Sequence, residues 1–282
     1  MADVTKAVLI TGCSTGIGRA TAEHLAGQGL TVYATARKAE SIEDLKDKGC
    51  RTLALDVTDE SSMQAAVQTV EEAEGAVGAL VNNAGYSLSG AIETIPMDSI
   101  RKQFETNVFG LIRMSQLVLP GMRRQRHGRI VNVSSMGGRL TFPGGGIYHA
   151  TKYSVEAISD VLRFEVQGFG VDVVLIEPGL IKTEFANAAV GSMGDQETDG
   201  GPYGDFNAAV AAETAGAYEG PLARLGAGPE AVARVIEKAI ARRRPRTRYL
   251  VTPSARLALS QRKLLTDRMW DRVMATQFPR PE

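Results

Sequence analysis

The chain has 282 residues, 44% of them apolar and 23% charged, with 32 basic side chains balanced by 32 acidic ones. Such a composition suits one large α/β domain that buries a sizeable core, and zero net charge excludes a global field that would recruit nucleic acid or an anionic membrane. Two cysteines, Cys13 and Cys50, are too few for a disulfide framework or a cysteine metal site.

The N-terminus, MADVTKAVLITG, enters an apolar strand pattern almost at once, without the basic and long apolar regions of a signal peptide. No run reaches the roughly 18 apolar residues of a spanning helix, so an unprocessed cytoplasmic protein is expected. β-branched runs then recur along the chain: KAVLIT at 6–11, LTVYAT at 30–35, RTLAL at 51–55, GALVN at 78–82, RIVNVS at 129–134, VDVVLIE at 171–177 and RYLV at 248–251. Each is nearly continuous, the pattern of strands buried on both faces of a parallel sheet. Helical patterns lie between them, among them Gly18 to Gly27 and Asp59 to Glu74, the second opened by the capping sequence Thr58-Asp59-Glu60-Ser61. Strand alternating with helix gives right-handed βαβ units. The expected fold is therefore α/β, a single domain over residues 1–282 with a doubly wound parallel sheet and helices on both faces.

The first strand runs through Thr11-Gly12-Cys13-Ser14-Thr15-Gly16-Ile17-Gly18-Arg19 straight into a helix. A glycine-rich turn at that place lets the backbone approach a pyrophosphate, while the helix N-terminus offers free N–H groups and a favourable dipole. The second strand ends in Thr35-Ala36-Arg37-Lys38. A carboxylate at this corner would grip the ribose hydroxyls of NAD, whereas an Arg accommodates the extra phosphate of NADP. No acid stands there, Glu40 lying beyond the corner. Arg37 can give two charge-assisted hydrogen bonds to a phosphate, assisted by Lys38 and the Ser14 hydroxyl. NADP(H) is the expected cofactor, with NAD(H) as the alternative.

Further along, Ser135 ends the strand RIVNVS, and Tyr148-His149-Ala150-Thr151-Lys152 opens a helical stretch that continues through Ile158 and Leu162. Positions four apart share a helix face, so phenol and ammonium project into one site. A free tyrosine titrates near 10, and a cation about 5 Å away at an effective dielectric of about 20 supplies roughly 3 kcal/mol, enough to lower that by about 2. The tyrosine becomes a usable acid and base, with Ser135 holding the oxygen of the substrate. A Tyr and a Lys four apart are by themselves a common surface pair; the glycine turn and Ser135 give them meaning.

With these motifs the sequence resembles the short-chain dehydrogenase/reductase family over about residues 4 to 252. The resemblance extends to Asn82-Asn83-Ala84-Gly85 after the fourth strand, where the family stabilises its sheet and lines the cofactor, and to Asn107 within ETNVFG, similar to the fourth member of the catalytic set, which links Lys152 to a water chain. Asp56-Val57 resembles the pair flanking the adenine, and Pro178-Gly179, with Ile181 and Thr183, the segment at the nicotinamide amide. The resemblance implies a strand order of 3-2-1-4-5-6-7, no metal, and a homodimer or homotetramer built through helices near 98–124 and 148–167. The basic corner is similar to the NADP-preferring branch, and YATAR, PRTRY and the helical tail are loosely similar to the 17β-hydroxysteroid and retinol dehydrogenases. That likeness implies a lipophilic ketone, aldehyde or alcohol.

Residues 186–228, rich in Gly, Ala and Pro and lacking a strand pattern, read as a substrate lid with one or two short helices such as Asn207 to Tyr218. Residues 254–282 read as a helical extension, with Trp270 and Phe278 anchoring it to the body or a second subunit. Met136, Phe142, Phe185, Met193 and Tyr218 are candidates for an apolar substrate wall or for ordinary core. His149 reads as pocket wall or surface, and Cys13 as a small residue filling the turn. The basic run Arg242 to Arg248 reads as solvated faces, salt-bridge partners, or a subunit or membrane contact. Two other functions compete with the oxidoreductase. A non-catalytic dinucleotide-binding regulator has no need of a complete Ser, Tyr, Lys and Asn set, and a methyltransferase wants the strand-end acid that is absent.

Overall fold

Seven strands form where the β-branched runs lie: β1 (Ala7–Ile10), β2 (Thr31–Ala36), β3 (Arg51–Ala54), β4 (Ala79–Asn82), β5 (Gly128–Val133), β6 (Val171–Glu177) and β7 (Arg248–Leu250). The computed structural model describes residues 5–184, 191, 201–219 and 221–281. Its strands make one parallel sheet in the order β3-β2-β1-β4-β5-β6-β7, as expected. The winding reverses between β1 and β4, which opens a crevice at the carboxyl ends of these strands.

The sheet's twofold side-chain period builds two cores. Val8 and Ile10 of β1 point to a layer with Ala22 and Leu25 of α1 (Gly16–Gly27) and Val232 and Ile236 of a later helix, Pro229–Ala241. Ala7 and Leu9 point the other way, to Met63 and Val67 of α2 (Glu60–Glu74) and to Met114 and Val118 of the helix Gly110–Arg124. The Asp59 side chain caps α2 by accepting from the Ser61 and Ser62 amides. One expectation needs correction. β3 and β7 are not buried on both faces: Arg51 and Ala54 are exposed, and all three residues of β7 are half-buried. Both strands are sheet edges with a single neighbour.

Between β4 and β5 the helix α3 (Met97–Phe104) passes into α4 (Gly110–Arg124) through one π turn at Glu105–Phe109. Such widened turns re-aim side chains at functional sites, and this one holds Asn107 inward at 1% exposure. The helix α5 (Gly146–Val166) precedes β6. It is followed by α6 (Gly204–Glu219), α7 (Pro229–Ala241) and, after β7, α8 (Pro253–Leu264) and α9 (Asp267–Met274).

The tail packs on the body of the same chain. Trp270, Met274 and Phe278 form a cluster with Val210 and Phe206 of α6 and with Phe142, and the Trp270 indole donates to Thr141 O at 3.2 Å. In the basic run, Arg248 turns inward to Glu156, Asp160 and Glu177, while Arg242, Arg243, Arg244 and Arg246 are exposed.

Candidate active site

Each glycine of the first turn answers a different steric demand. Gly12 and Gly16 have φ of 73° and 59°, the left-handed region that favours glycine. A side chain on Gly18 would place its Cβ 2.2 Å from Gly12 O and 2.4 Å from Asn83 Nδ2. The turn is held from below by Asn83, whose amide donates to Thr11 O and Gly12 O at 2.9 Å each, while Thr11 Oγ1 accepts from the Asn83 and Ala84 amides. Thr15 makes no side-chain capping bond to α1. The first amides of the helix therefore offer their donors to an anion in the crevice. Cys13 is fully buried, and burial pushes its thiol up to about 12. It carries no thiolate at neutral pH, in keeping with a space-filling residue.

A cleft of about 1200 Å³ runs from this turn across the carboxyl ends of the strands, large enough for a dinucleotide and a substrate together. At one end it is lined by Gly12, Ser14, Thr15, Gly16 and Ile17, with Arg37, Asp56 and Val57 at the corner of β2 and β3. Its middle holds Asn83, Ala84 and Gly85, beyond which lie Ser135, Tyr148, Lys152, Pro178, Gly179 and Ile181, while Thr183 comes back to the turn, its side chain 3.5 Å from where a Cβ on Gly16 would stand. Gly18, Lys38 and Asn107 are the candidate residues outside this lining. Gly18 lies behind the turn, and Lys38 is exposed past the corner. Asn107 sits beneath the cleft, where Nδ2 donates to Tyr86 O (2.9 Å) and Thr151 Oγ1 (3.1 Å) and Oδ1 accepts from Tyr86 N (3.1 Å). It thereby fixes the residue before Lys152 and the segment after Gly85.

Ser135, extended at the end of β5, caps the turn Met136–Gly138, its Oγ accepting from Gly137 N at 3.0 Å. Tyr148 and Lys152 stand one turn apart on α5, with Lys152 Nζ 5.8 Å from the phenol ring centroid. Lys152 is 7% exposed, and its ammonium donates to Val133 O at 2.8 Å. Burial lowers its pKa from 10.5 to about 8, against the opposing charge of Glu156, so it remains a cation at neutral pH.

Of the wall candidates, Met136 and Phe142 line the cleft, joined by Leu88 and Leu180. Phe185, Met193 and the Tyr218 side chain fall outside the described residues. His149 is buried and contributes to the lining, which is the pocket-wall alternative of its sequence reading. One feature escaped that reading. Glu177, 0% exposed just before Pro178, is paired with Arg139 and Arg248, each at 3.1 Å. A carboxylate ending an apolar strand is the signal that could have found this pair, because a buried charge needs a partner.

The family model for the short chain dehydrogenase matches residues 6–192. An NADPH-dependent 3-dehydrocapnine reductase of Ornithobacterium rhinotracheale is 35% identical over 94% of this chain and 94% of its own length. A 3-ketodihydrosphingosine reductase of Bacteroides thetaiotaomicron is 39% identical over 68% of this chain and 70% of its own. Among solved structures, a short chain dehydrogenase/reductase of Burkholderia phymatum in complex with NAD has a TM-score of 0.78 at 26% identity, covering 100% and 99% of the two chains.

Proposed function

The chain belongs to the short-chain dehydrogenase/reductase family, oxidoreductases that use a nicotinamide dinucleotide on alcohol and carbonyl groups, and from that premise we propose that it is an NADP(H)-dependent reductase of a lipophilic ketone or aldehyde. The observation that carries the proposal is a buried ammonium, Lys152, one helical turn from Tyr148, in a cleft continuous with an uncapped helix N-terminus. The cofactor supplies the hydride when bound. Tyr148 gives the proton to the carbonyl oxygen, Ser135 orients that oxygen, Lys152 holds positive charge beside the phenol, and Asn107 fixes the Thr151-Lys152 turn from below. Gly12 to Gly18 receive the pyrophosphate, Asp56 and Val57 flank the adenine, and Pro178 to Thr183 border the nicotinamide.

Leu88, Met136, Phe142 and Leu180 give the far end of the cleft an apolar wall. The helix α6 is tied to the loop beside it by Asn207, which accepts from Ala91 N at 3.0 Å, and by the Tyr203 hydroxyl on Glu93. On this reading residues 186–228 form the substrate lid; 186–190, 192–200 and 220 lie outside the described residues, and α6 packs against the tail. The two relatives named for 3-dehydrocapnine and 3-ketodihydrosphingosine support beginning with 3-keto substrates of those kinds. An NADPH-oxidation assay over such compounds, steroids, retinoids and aliphatic ketones tests the proposal. Dinucleotide binding without oxidation by any of them would leave the regulator reading in its place.

The phosphate preference rests on Arg37, exposed at the rim of the cleft with no acid at the end of β2. Charge-assisted bonds of this kind contribute about 1.5–3 kcal/mol. Arg37→Asp is therefore expected to weaken NADPH roughly 10–100-fold relative to NADH; an unchanged ratio of the two dissociation constants would overturn the preference.

The face of α5 that turns from the sheet carries Val161 and Phe164 at 59% and 84% exposure, with Phe109 at 50% on the neighbouring π turn. Large apolar side chains grouped on a surface mark association sites. The chain assembles through this face as a dimer or tetramer, and Phe164→Glu is expected to shift it to monomer in light scattering. An unaltered mass would refute the assignment.

A further inference from the structure

His149 follows Tyr148, and the helical period turns it away from the line of phenol and ammonium. The residue is 7% exposed, and both ring nitrogens are occupied. Nδ1 lies 3.0 Å from Gly137 O, and Nε2 lies 3.1 Å from the Phe142 amide nitrogen. A carbonyl only accepts and an amide N–H only donates, so the ring is neutral with its proton on Nδ1. The backbone is shaped to it: a Cβ on Gly137 would lie 2.5 Å from Nδ1, and one on Gly145 2.7 Å from Nε2.

The two partners belong to one loop. Gly137 is the amide that Ser135 Oγ caps. Phe142 lines the cleft and packs against both the His149 and Trp270 rings, each with its centroid 6.0 Å away. One imidazole thus joins the serine turn, the apolar wall, the helix of Tyr148 and Lys152, and through Trp270 the C-terminal tail.

We propose that His149, in its neutral form, is a positioning residue that pins the Ser135–Phe142 loop to the helix carrying Tyr148 and Lys152, and that protonation releases Phe142 and with it the substrate-side wall. Its catalytic consequence rests on reading the cleft as a carbonyl-reductase site. A second proton makes both nitrogens donors, so that Nε2–H meets the Phe142 N–H and the hydrogen bond is lost. Burial holds the imidazole below its ordinary 6.5, with the Gly137 bond opposing. The pin is therefore intact above 6.5 and fails as the pH falls through that lowered value. The ionisable groups on the elements packed around it are these. On α5 they are Tyr148, its ring centroid 5.8 Å away, Lys152, and Tyr153 one helical turn on, beside Arg139 and Arg262; in the loop Arg139 is paired with Glu177; on the tail side Arg262 lies over Trp270 and pairs with Asp267.

Trp270 is the sole tryptophan of the chain, so its emission reads the wall without any substrate. The experiment records Trp270 emission from pH 4 to 8, and kcat/KM with NADPH and a carbonyl substrate over the same range, for the wild type, His149→Gln and His149→Leu. Far-UV circular dichroism confirms that each is folded. In the wild type, acidification below 6.5 is expected to move the emission and raise KM together. Glutamine keeps one donor and one acceptor, so His149→Gln should stay within about threefold of wild-type kcat/KM at pH 7 and lose both acid transitions. His149→Leu should lose about tenfold or more at pH 7, chiefly in KM, with its emission already at the wild-type acid position. A leucine variant with wild-type KM, or a glutamine variant that keeps the acid transition of Trp270, overturns the proposal. A wild-type emission transition without turnover of any carbonyl would leave the pin standing and sink the reductase reading instead.

Discussion

Replacing Tyr148 by Phe is expected to lower kcat/KM by roughly 10²–10⁴-fold, the usual worth of a positioned general acid, while NADPH affinity changes less than about threefold. The substitution removes one hydroxyl and keeps the ring, so the tilted contact of that ring with His149 persists. The phenol lines the cleft beyond β5 on α5, and the glycine turn lines it after β1. Binding and chemistry should therefore separate cleanly. NADPH fluorescence titration reports the first and NADPH oxidation the second. A variant that keeps more than about a tenth of wild-type turnover would remove Tyr148 from the acid–base role.

Lys152→Met is expected to abolish turnover and at the same time to stabilise the fold. Holding a buried ammonium at about 8 rather than 10.5 costs the folded state about 3 kcal/mol. Methionine fills similar volume without charge, and the lost charge-assisted bond to Val133 O takes back about 1.5–3 kcal/mol. Glu156 keeps its partner Arg248 at 3.2 Å. The net gain is about 1 kcal/mol, or a rise in Tm of roughly 2–4 °C for a domain of this size.

The pH dependence carries a definite sign. Below about 8 the wild-type lysine is charged in both the folded and the unfolded state, and the burial cost is borne in full. Between about 8 and 10.5 the folded state has released its proton and the unfolded state has not, so wild-type stability rises with pH. The advantage of the methionine variant should thus be largest at neutral pH and shrink across that window. Denaturant melts at pH 7 and pH 10 check this. A variant that is less stable than the wild type at pH 7 would show that the buried ammonium is matched by partners better than its geometry indicates.

Much of the site was legible because it is local. The glycine turn, the strand-end Arg37 and the four-residue spacing of Tyr148 and Lys152 are short-range patterns. Helical or strand geometry then dictates which way each side chain faces. The doubly wound parallel sheet followed from alternation and handedness, its strand order from the family resemblance, and β6 formed over the same residues as its apolar run. The lining of the cleft by residues from the turn after β1, the corner of β2 and the ends of β4, β5 and β6 agrees with that topology.

What remained hidden depends on neighbours far away in the chain. His149 reads only as pocket wall or surface, and its two backbone partners are set when the loop at 137–145 closes over it. Trp270 meets Thr141 across 129 positions, and Glu177 acquires its two arginines from β7 and from the turn after β5. The π turn that buries Asn107 leaves no mark in the hydrophobic period, and the exposure of β3 and β7 follows from their place at the sheet edges.

The sequence by itself determined the backbone periods, and with them the doubly wound sheet, the glycine turn before the first helix and the shared face of phenol and ammonium. Only the tertiary structure decided which of those groups lose water and what replaces it. Local spacing sets the direction of a side chain; the free energy of a charge or a proton depends on everything packed around it.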